Sequence, residues 1–109
     1  MNNKDARAAR DAGILQAAEH AEEVCTGWGD KAYEALRVFA EGTRKGQPFT
    51  SEQVRSSIAA AFVPKPPHAR AWGSVFQRAA RNGLIQKVGV AQSEAVHCHM
   101  SYVGQWKAV

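Results

Sequence analysis

The hydrophobic period of the sequence changes at Asn82 and Gly83, and this change limits the folds that the chain can adopt. Before it, apolar residues in the segment 69–82 recur at the spacing of an α-helix. After it, residues 84–90 are typical of a strand, and the segment 96–106 alternates apolar and polar residues, as a strand with one buried face does. Asn and Gly commonly end helices, because Gly adopts a left-handed backbone without strain. The sequence therefore predicts a mainly helical α+β fold with a C-terminal two-stranded hairpin.

Two helices are expected in the first half of the chain. Residues 3–24 consist mainly of good helix formers. Their apolar stripe is thin and comprises Ile14, Ala18, Ala21 and Cys25. A break follows at the glycines that flank Trp28, for which the pattern indicates no role. Asp30 is a typical N-cap residue and predicts a second helix from there to Gly42.

A third helix has a well-defined start. Thr50 and Gln53 have the spacing of a capping box, with Phe49 and Val54 placed as a hydrophobic staple around it. They predict a helix over residues 51–62. Its expected inward residues are Val54, Ile58, Ala61 and Phe62. Three prolines then exclude helix and require an extended connection: Pro64, Pro66 and Pro67.

The fourth helix, predicted over 69–82, has two chemically different faces. The apolar face comprises Trp72, Val75, Phe76 and Ala79. The opposite face comprises Arg70, Ser74, Gln77 and Arg81, flanked by Arg78. A solvated helix face usually mixes both signs of charge, whereas this face has no acidic residue. We therefore expect it to contact a polyanion.

Charge is unevenly distributed along the 109 residues, whose net charge is +4. Residues 1–50 have 7 basic and 8 acidic side chains, whereas residues 51–109 have 7 and 2, a net of −1 against +5. A basic half of this kind favours nucleic-acid binding, although it also serves solubility. Charges recur through the first 23 residues, which predicts a cytoplasmic protein without signal peptide or membrane span. Cys25 and Cys98 are far apart and indicate no disulfide.

The order of these elements resembles a winged helix-turn-helix domain, in which the last of three helices leads directly into a hairpin. Residues 68–85, HARAWGSVFQRAARNGLI, are also similar to the recognition-helix region of small winged-helix proteins of bacteriophages and prophages. There a proline-rich lead-in precedes an Ala-Trp-Gly helix, and Gly-Leu-Ile leads into the wing. The connection over 63–68 is longer than the usual turn. The resemblance implies a winged-helix domain over 30–109, preceded by an N-terminal helix and connector over 1–29 that serve as an arm for homodimerisation or another partner.

By this resemblance the fourth helix is a recognition helix in the major groove of double-stranded DNA, and the hairpin is the wing. The predicted DNA-binding residues are Arg55, Lys65, His68, Arg70, Ser74, Gln77, Arg78, Arg81 and Lys87. Arg and Gln side chains pair with base edges, so Arg70, Ser74 and Gln77 are assigned to bases. Phosphate contacts are assigned to Lys65, Arg78 and Lys87. For Arg81, spacing leaves bases and backbone equally open, and for Arg55 simple solvation is slightly favoured over phosphate binding.

The implied function is transcription control or replication of a phage or prophage, without enzyme activity. An alternative stays open: a winged helix used as a protein-interaction module, such as an inhibitor of a host nucleic-acid enzyme or a replication accessory factor. His97, Cys98 and His99 do not predict a metal site, because neighbours in a strand point to opposite faces. The sequence has no Gly-rich phosphate loop and no evident nucleophile and base pair. No cofactor or catalytic residue is expected.

Overall fold

Helices and a sheet meet at Asn82 and Gly83, where the hydrophobic period changes. A computed structural model describes residues 3–43, 46–92 and 102–109 of the protein. Its elements are α1 (Asn3–Val24), α2 (Trp28–Gly42), β1 (Phe49–Thr50), α3 (Ser51–Arg55), α4 (Ala71–Arg81), β2 (Ile85–Gln92) and β3 (Tyr102–Ala108). Within these residues the fold is an α+β domain with four helices and a small antiparallel sheet. None of the described helices is long and apolar enough to cross a membrane.

The fourth predicted helix is confirmed as α4. Its buried residues are Ala71, Trp72, Val75, Phe76 and Ala79, which include the whole predicted apolar face. The α-helix begins two residues later than predicted, because a tighter turn precedes it, in which the Ala71 N–H donates to the His68 carbonyl at 3.1 Å. After Arg81 the helix stops, and Gly83 has a left-handed φ of +76°. The Asn-Gly stop therefore works as predicted.

The third helix is much shorter than predicted. Its capping box is confirmed, since Thr50 and Gln53 each accept from the other's backbone N–H, at 3.2 and 2.9 Å. The α-helix ends at Arg55, however, and tighter turns continue to Val63. The Ser57 hydroxyl donates to the Val54 carbonyl at 2.6 Å, a side-chain bond that competes with the helical pattern.

This early end changes which side chains face inward. Val54 is buried as expected, but Ile58 is 87% exposed and Phe62 is 90% exposed. Ala60 is buried instead of Ala61, which is exposed. The prediction that Ile58, Ala61 and Phe62 face the core is therefore wrong, because the tighter turns after Arg55 rotate them out of the helical stripe.

The second helix begins earlier than predicted. Its N-cap is Gly27, whose φ of +82° is left-handed, and Asp30 lies in the first turn rather than at the cap. The predicted Asp30 cap is thus wrong, because Glu22 of α1 supplies the capping oxygens. Its carboxylate accepts from the backbone N–H groups of Gly27 and Gly29, both at 2.8 Å. The predicted end of the helix at Gly42 is confirmed.

Trp28, which the sequence could not place, lies at the centre of the core. Its side chain is 1% exposed, and its ring stands edge-on to that of Trp72, with 5.5 Å between centroids. Its indole N–H donates to the Pro64 carbonyl at 2.7 Å. Trp28 therefore ties α2 to both α4 and the proline-containing connection.

The sheet has the order β1-β3-β2, and all its pairs are antiparallel. β2 and β3 form the predicted hairpin, although β2 continues through Gln92, inside the predicted turn over 91–95. The rest of that turn and residues 96–101 of the second predicted strand lie outside the described residues. β1 was not predicted, and it pairs Phe49 with Trp106 and Thr50 with Gln105. This pairing attaches the segment between α2 and α3 to the hairpin.

The core lies between the sheet and the three longer helices. Leu36, Val54 and Ile85 are among its fully buried side chains. α1 covers the predicted residues 3–24 and packs against both α4 and α2. It contributes Ala21 to the core, with Ala17 packed beside it. The N-terminal helix is thus in contact with the rest of the domain in this structure.

Candidate nucleic-acid interface

The polar side of α4 is the surface that the sequence assigns to DNA. Arg70, just before the helix, and Arg81, its last residue, are exposed. Ser74, Gln77 and Arg78 are partly buried. These residues share the outer half of α4, but neighbouring helices flank them on both sides.

α1 lies along one flank of α4 and runs antiparallel to it. A Cβ atom on Gly73 would stand 3.0–3.2 Å from three side-chain carbons of Ile14, so the missing side chain allows this close approach. Gln77 Nε2 donates to Asp11 Oδ1 at 3.4 Å. α1 therefore occupies the side of α4 on which Gln77 was predicted to meet bases.

α2 lies along the other flank and engages Arg78. Arg78 Nη1 and Asp30 Oδ1 form an ion pair of 2.9 Å, and the guanidinium carbon stands 4.2 Å from the centroid of the Tyr33 ring. Asn82 Nδ2 donates to the Tyr33 hydroxyl at 3.1 Å. An exposed ion pair contributes little net stability, but these contacts fix where the Arg78 side chain lies.

Between the two flanks, Ser74 and Arg81 share a narrow open strip. They are seven residues apart, which is two helical turns, so they face the same direction. Ser74 Oγ donates to the Ala71 carbonyl at 2.8 Å. For Arg81 the described residues provide no hydrogen bond or ion pair. Arg81 is thus an exposed predicted contact whose guanidinium has no partner among the described residues.

The connection before α4 places two further predicted residues. Lys65 and His68 are both exposed. His68 Nδ1 accepts from the backbone N–H of Arg70 at 3.1 Å, so the imidazole helps to form the turn that precedes α4. A cleft of about 510 Å³ separates this connection from α1, and Arg70 and His20 are among its lining residues.

The remaining predicted contacts lie away from α4. Lys87 on β2 is exposed, and its ammonium group stands 5.8 Å from the centroid of the Trp106 ring. The register shifts between Lys87 and Gly89, which marks a bulge in the hairpin. Arg55 ends α3 and donates from Nε to the Ser51 carbonyl at 3.4 Å. The structure therefore does not bring all nine predicted residues onto one continuous face.

The exposed apolar residues of the third predicted helix form a surface that sequence reasoning missed. Phe62 lines a groove of about 450 Å³ together with Val38 and Ala35 of α2. Ile58 and Phe62 are almost fully exposed, and Val38 is 46% exposed. The paired serines at 56 and 57 were the available signal, because their hydroxyls compete for backbone hydrogen bonds and shorten helices.

Among the described residues, no three His, Cys, Asp or Glu side chains are grouped as metal ligands would be. His97, Cys98 and His99, considered at the sequence level, lie outside the described residues. Cys25 is a half-buried free thiol, with Lys31 Nζ at 3.9 Å from its sulfur.

No protein-family model, curated protein or solved structure matches this chain.

Proposed function

We propose that the protein binds double-stranded DNA as a winged-helix protein, with α4 as its recognition helix and β2 and β3 as its wing. The observation that carries the proposal is the arrangement of α2, α3 and α4, which are followed by a hairpin whose β3 strand also pairs with β1. This order resembles that of the winged helix-turn-helix. A basic α4 without an acidic residue supports the same function.

The chemistry of the open strip on α4 fits this role. Arg81, whose guanidinium has no hydrogen bond or ion pair among the described residues, has the chemistry to pair with the O6 and N7 atoms of guanine or with a phosphate. Ser74 on the same strip contacts either bases or phosphates. Lys65 on the connection and Lys87 on β2 supply further cations for the DNA backbone, which gives most of the affinity of such complexes.

The experiment is fluorescence anisotropy with a mixed-sequence DNA duplex, titrated at about 50 and 200 mM salt. We expect binding at low salt that weakens by orders of magnitude at the higher salt, because several phosphate contacts release counterions. Arg81→Glu should weaken binding further. The matched control is Lys31→Glu, which makes the same charge change at an exposed position of α2 beside the apolar groove.

Two results would contradict the proposal. One is the absence of duplex binding at low salt in every form of the protein. The other is an equal loss of affinity in Arg81→Glu and Lys31→Glu, which would indicate non-specific attraction by net charge rather than a surface on α4.

A second candidate function is a protein-interaction module, and the groove lined by the exposed side chains of Phe62 and Val38 favours it. Large apolar side chains exposed around one groove are typical of protein-binding sites. This function predicts a partner whose binding is lost in Phe62→Ser and kept in Val88→Ser, since Val88 is exposed on β2. Equal binding by both variants would contradict it.

A further inference from the structure

The two helices beside α4 restrict how it can meet DNA. An α-helix with its side chains is about 10–12 Å across, and the major groove of B-DNA is about 12 Å wide. One helix therefore fills the groove. Because Ile14 packs directly against Gly73, α1 and α4 form a body about two helices wide on that side. In this arrangement α4 cannot enter the groove to the depth at which Gln77 meets base edges.

Two carboxylates from neighbouring helices also bind polar side chains of α4. Asp11 of α1 accepts from Gln77 at 3.4 Å, and Asp30 of α2 pairs with Arg78 at 2.9 Å. Carboxylate oxygens offer the same acceptor chemistry as phosphates and the acceptor atoms of bases. Asp11 and Asp30 thus take the places that DNA acceptors would take.

α1 is held unevenly along its length. At its C-terminal end, Ala21 is buried in the core and Glu22 caps α2 through two hydrogen bonds of 2.8 Å. Toward its N-terminus, Ile14 is only half-buried, Leu15 is 60% exposed and the Asp11 to Gln77 bond is long. Segments with few buried apolar contacts open at low free-energy cost. The N-terminal part of α1 can therefore separate from α4 while its C-terminal end stays attached.

We infer that α1, over the described part that precedes Ala17, is a displaceable cover on α4, and that it moves aside before α4 enters the major groove. This inference rests on the proposed DNA-binding function. The cover lowers the observed affinity for DNA, because only the fraction of molecules with α1 displaced can bind. It also provides regulation, since anything that holds α1 against α4 keeps the protein from DNA, and anything that captures α1 releases it.

The first test is a disulfide that locks the cover shut. Ile14→Cys with Gly73→Cys places two thiols where Ile14 now meets the bare Gly73 backbone, and removing the Ile14 side chain provides the space that a Cβ on Gly73 needs. Cys25→Ser and Cys98→Ser remove the other thiols. The full-length protein is oxidised with oxidised glutathione or reduced with dithiothreitol, and each form is titrated with the mixed-sequence duplex at about 50 mM salt.

We expect the oxidised form to bind at least about tenfold more weakly than the reduced form. Equal binding by both forms would overturn the inference that α1 covers α4 and would leave the proposed function intact. If no form binds duplex DNA, including the wild type and the reduced variant, the proposed function fails and the cover fails with it. The matched control is Ile14→Ser with Gly73→Cys, oxidised and reduced in the same way, because it keeps the space beside Gly73 and cannot form the disulfide.

The second test weakens the cover without altering α4. Ile14→Ala removes the side chain that contacts Gly73, and Leu15→Ala removes a side chain of equal size from an exposed position of the same helix. We expect Ile14→Ala to raise the affinity for duplex DNA by about tenfold, which corresponds to about 1.4 kcal/mol, and Leu15→Ala to leave it unchanged. Unchanged or weaker binding by Ile14→Ala, with its circular dichroism spectrum retained, would overturn the cover.

Discussion

The junction of α1 and α2 depends on one carboxylate, and Glu22→Ala is the substitution that tests it. The Glu22 carboxylate accepts from the backbone N–H groups of Gly27 and Gly29. N–H groups in the first turn of a helix have no partner within the helix. Gly27, the N-cap residue of α2, has no side chain with which to accept them. Glu22→Ala therefore removes the side-chain cap of the N-terminal end of α2.

We expect Glu22→Ala to lower the free energy of unfolding by about 1.5 kcal/mol. Loss of an N-cap side chain costs about 1 kcal/mol, and the carboxylate adds a favourable interaction with the helix dipole of about 0.5 kcal/mol. Glu23→Ala is the matched control, because its side chain has the same charge and, within the described part of the chain, its one polar side-chain contact is an exposed 3.4 Å pair with His20. Its effect should stay below about 0.5 kcal/mol.

The assay is urea unfolding followed by far-ultraviolet circular dichroism, with a check that the slope of free energy against urea is unchanged. Gly29→Ala provides a second perturbation of the same cap. A Cβ there would stand 3.0 Å from Glu22 Oε1, so the carboxylate must shift by a few tenths of an ångström, and this variant should gain less than the roughly 1 kcal/mol that Gly→Ala gains in a helix interior. The capping role would be refuted if Glu22→Ala and Glu23→Ala were equally stable.

Three further predictions concern the core, the exposed surface and pH. Trp28→Phe should destabilise the fold by about 2–3 kcal/mol in urea unfolding, because the Pro64 carbonyl loses its hydrogen-bond donor and the smaller ring leaves a cavity. Phe62→Ser should change stability by less than about 0.5 kcal/mol, because Phe62 is 90% exposed, and should reduce binding of a hydrophobic fluorescent dye. The hydrogen bond from Arg37 lowers the pKa of Glu34, so this pair stabilises the fold above the unfolded pKa of Glu34 and less as pH falls through the folded value. Stability measured against pH should therefore fall less steeply on the acid side in Glu34→Gln.

Features encoded by near neighbours could be predicted from the sequence. The Thr50 and Gln53 capping box and the stop at Gly83 each depend on a few consecutive residues, and both are present in the structure. The apolar face of α4 was equally clear, since its period persists over three turns. The length of α3 could not be predicted from periodicity, because the Ser57 hydroxyl binds the backbone and ends the helix early.

Contacts between distant segments could not be predicted. The pairing of β1 with β3 joins residues 49–50 to residues 105–106, and two residues are too short a strand for any periodic signal. The position of α1 depends on Gly73, because the absence of a side chain there lets Ile14 of α1 approach the backbone of α4. For the candidate site, the composition of the polar face of α4 was readable in the sequence. The contacts of Gln77 with Asp11 and of Arg78 with Asp30 could not be predicted from the sequence.

DNA binding through α4 can be observed residue by residue in an NMR titration of the ¹⁵N-labelled full-length protein with a mixed-sequence duplex at low salt. We expect amide signals of residues 70–81 and 86–92 to shift on DNA addition, together with those of residues 11–14 as α1 leaves α4. Arg81→Glu should reduce these shifts. No shifts at any DNA concentration, or shifts confined to residues 56–63 around the exposed Phe62, would contradict the assignment of α4 as the DNA-binding helix.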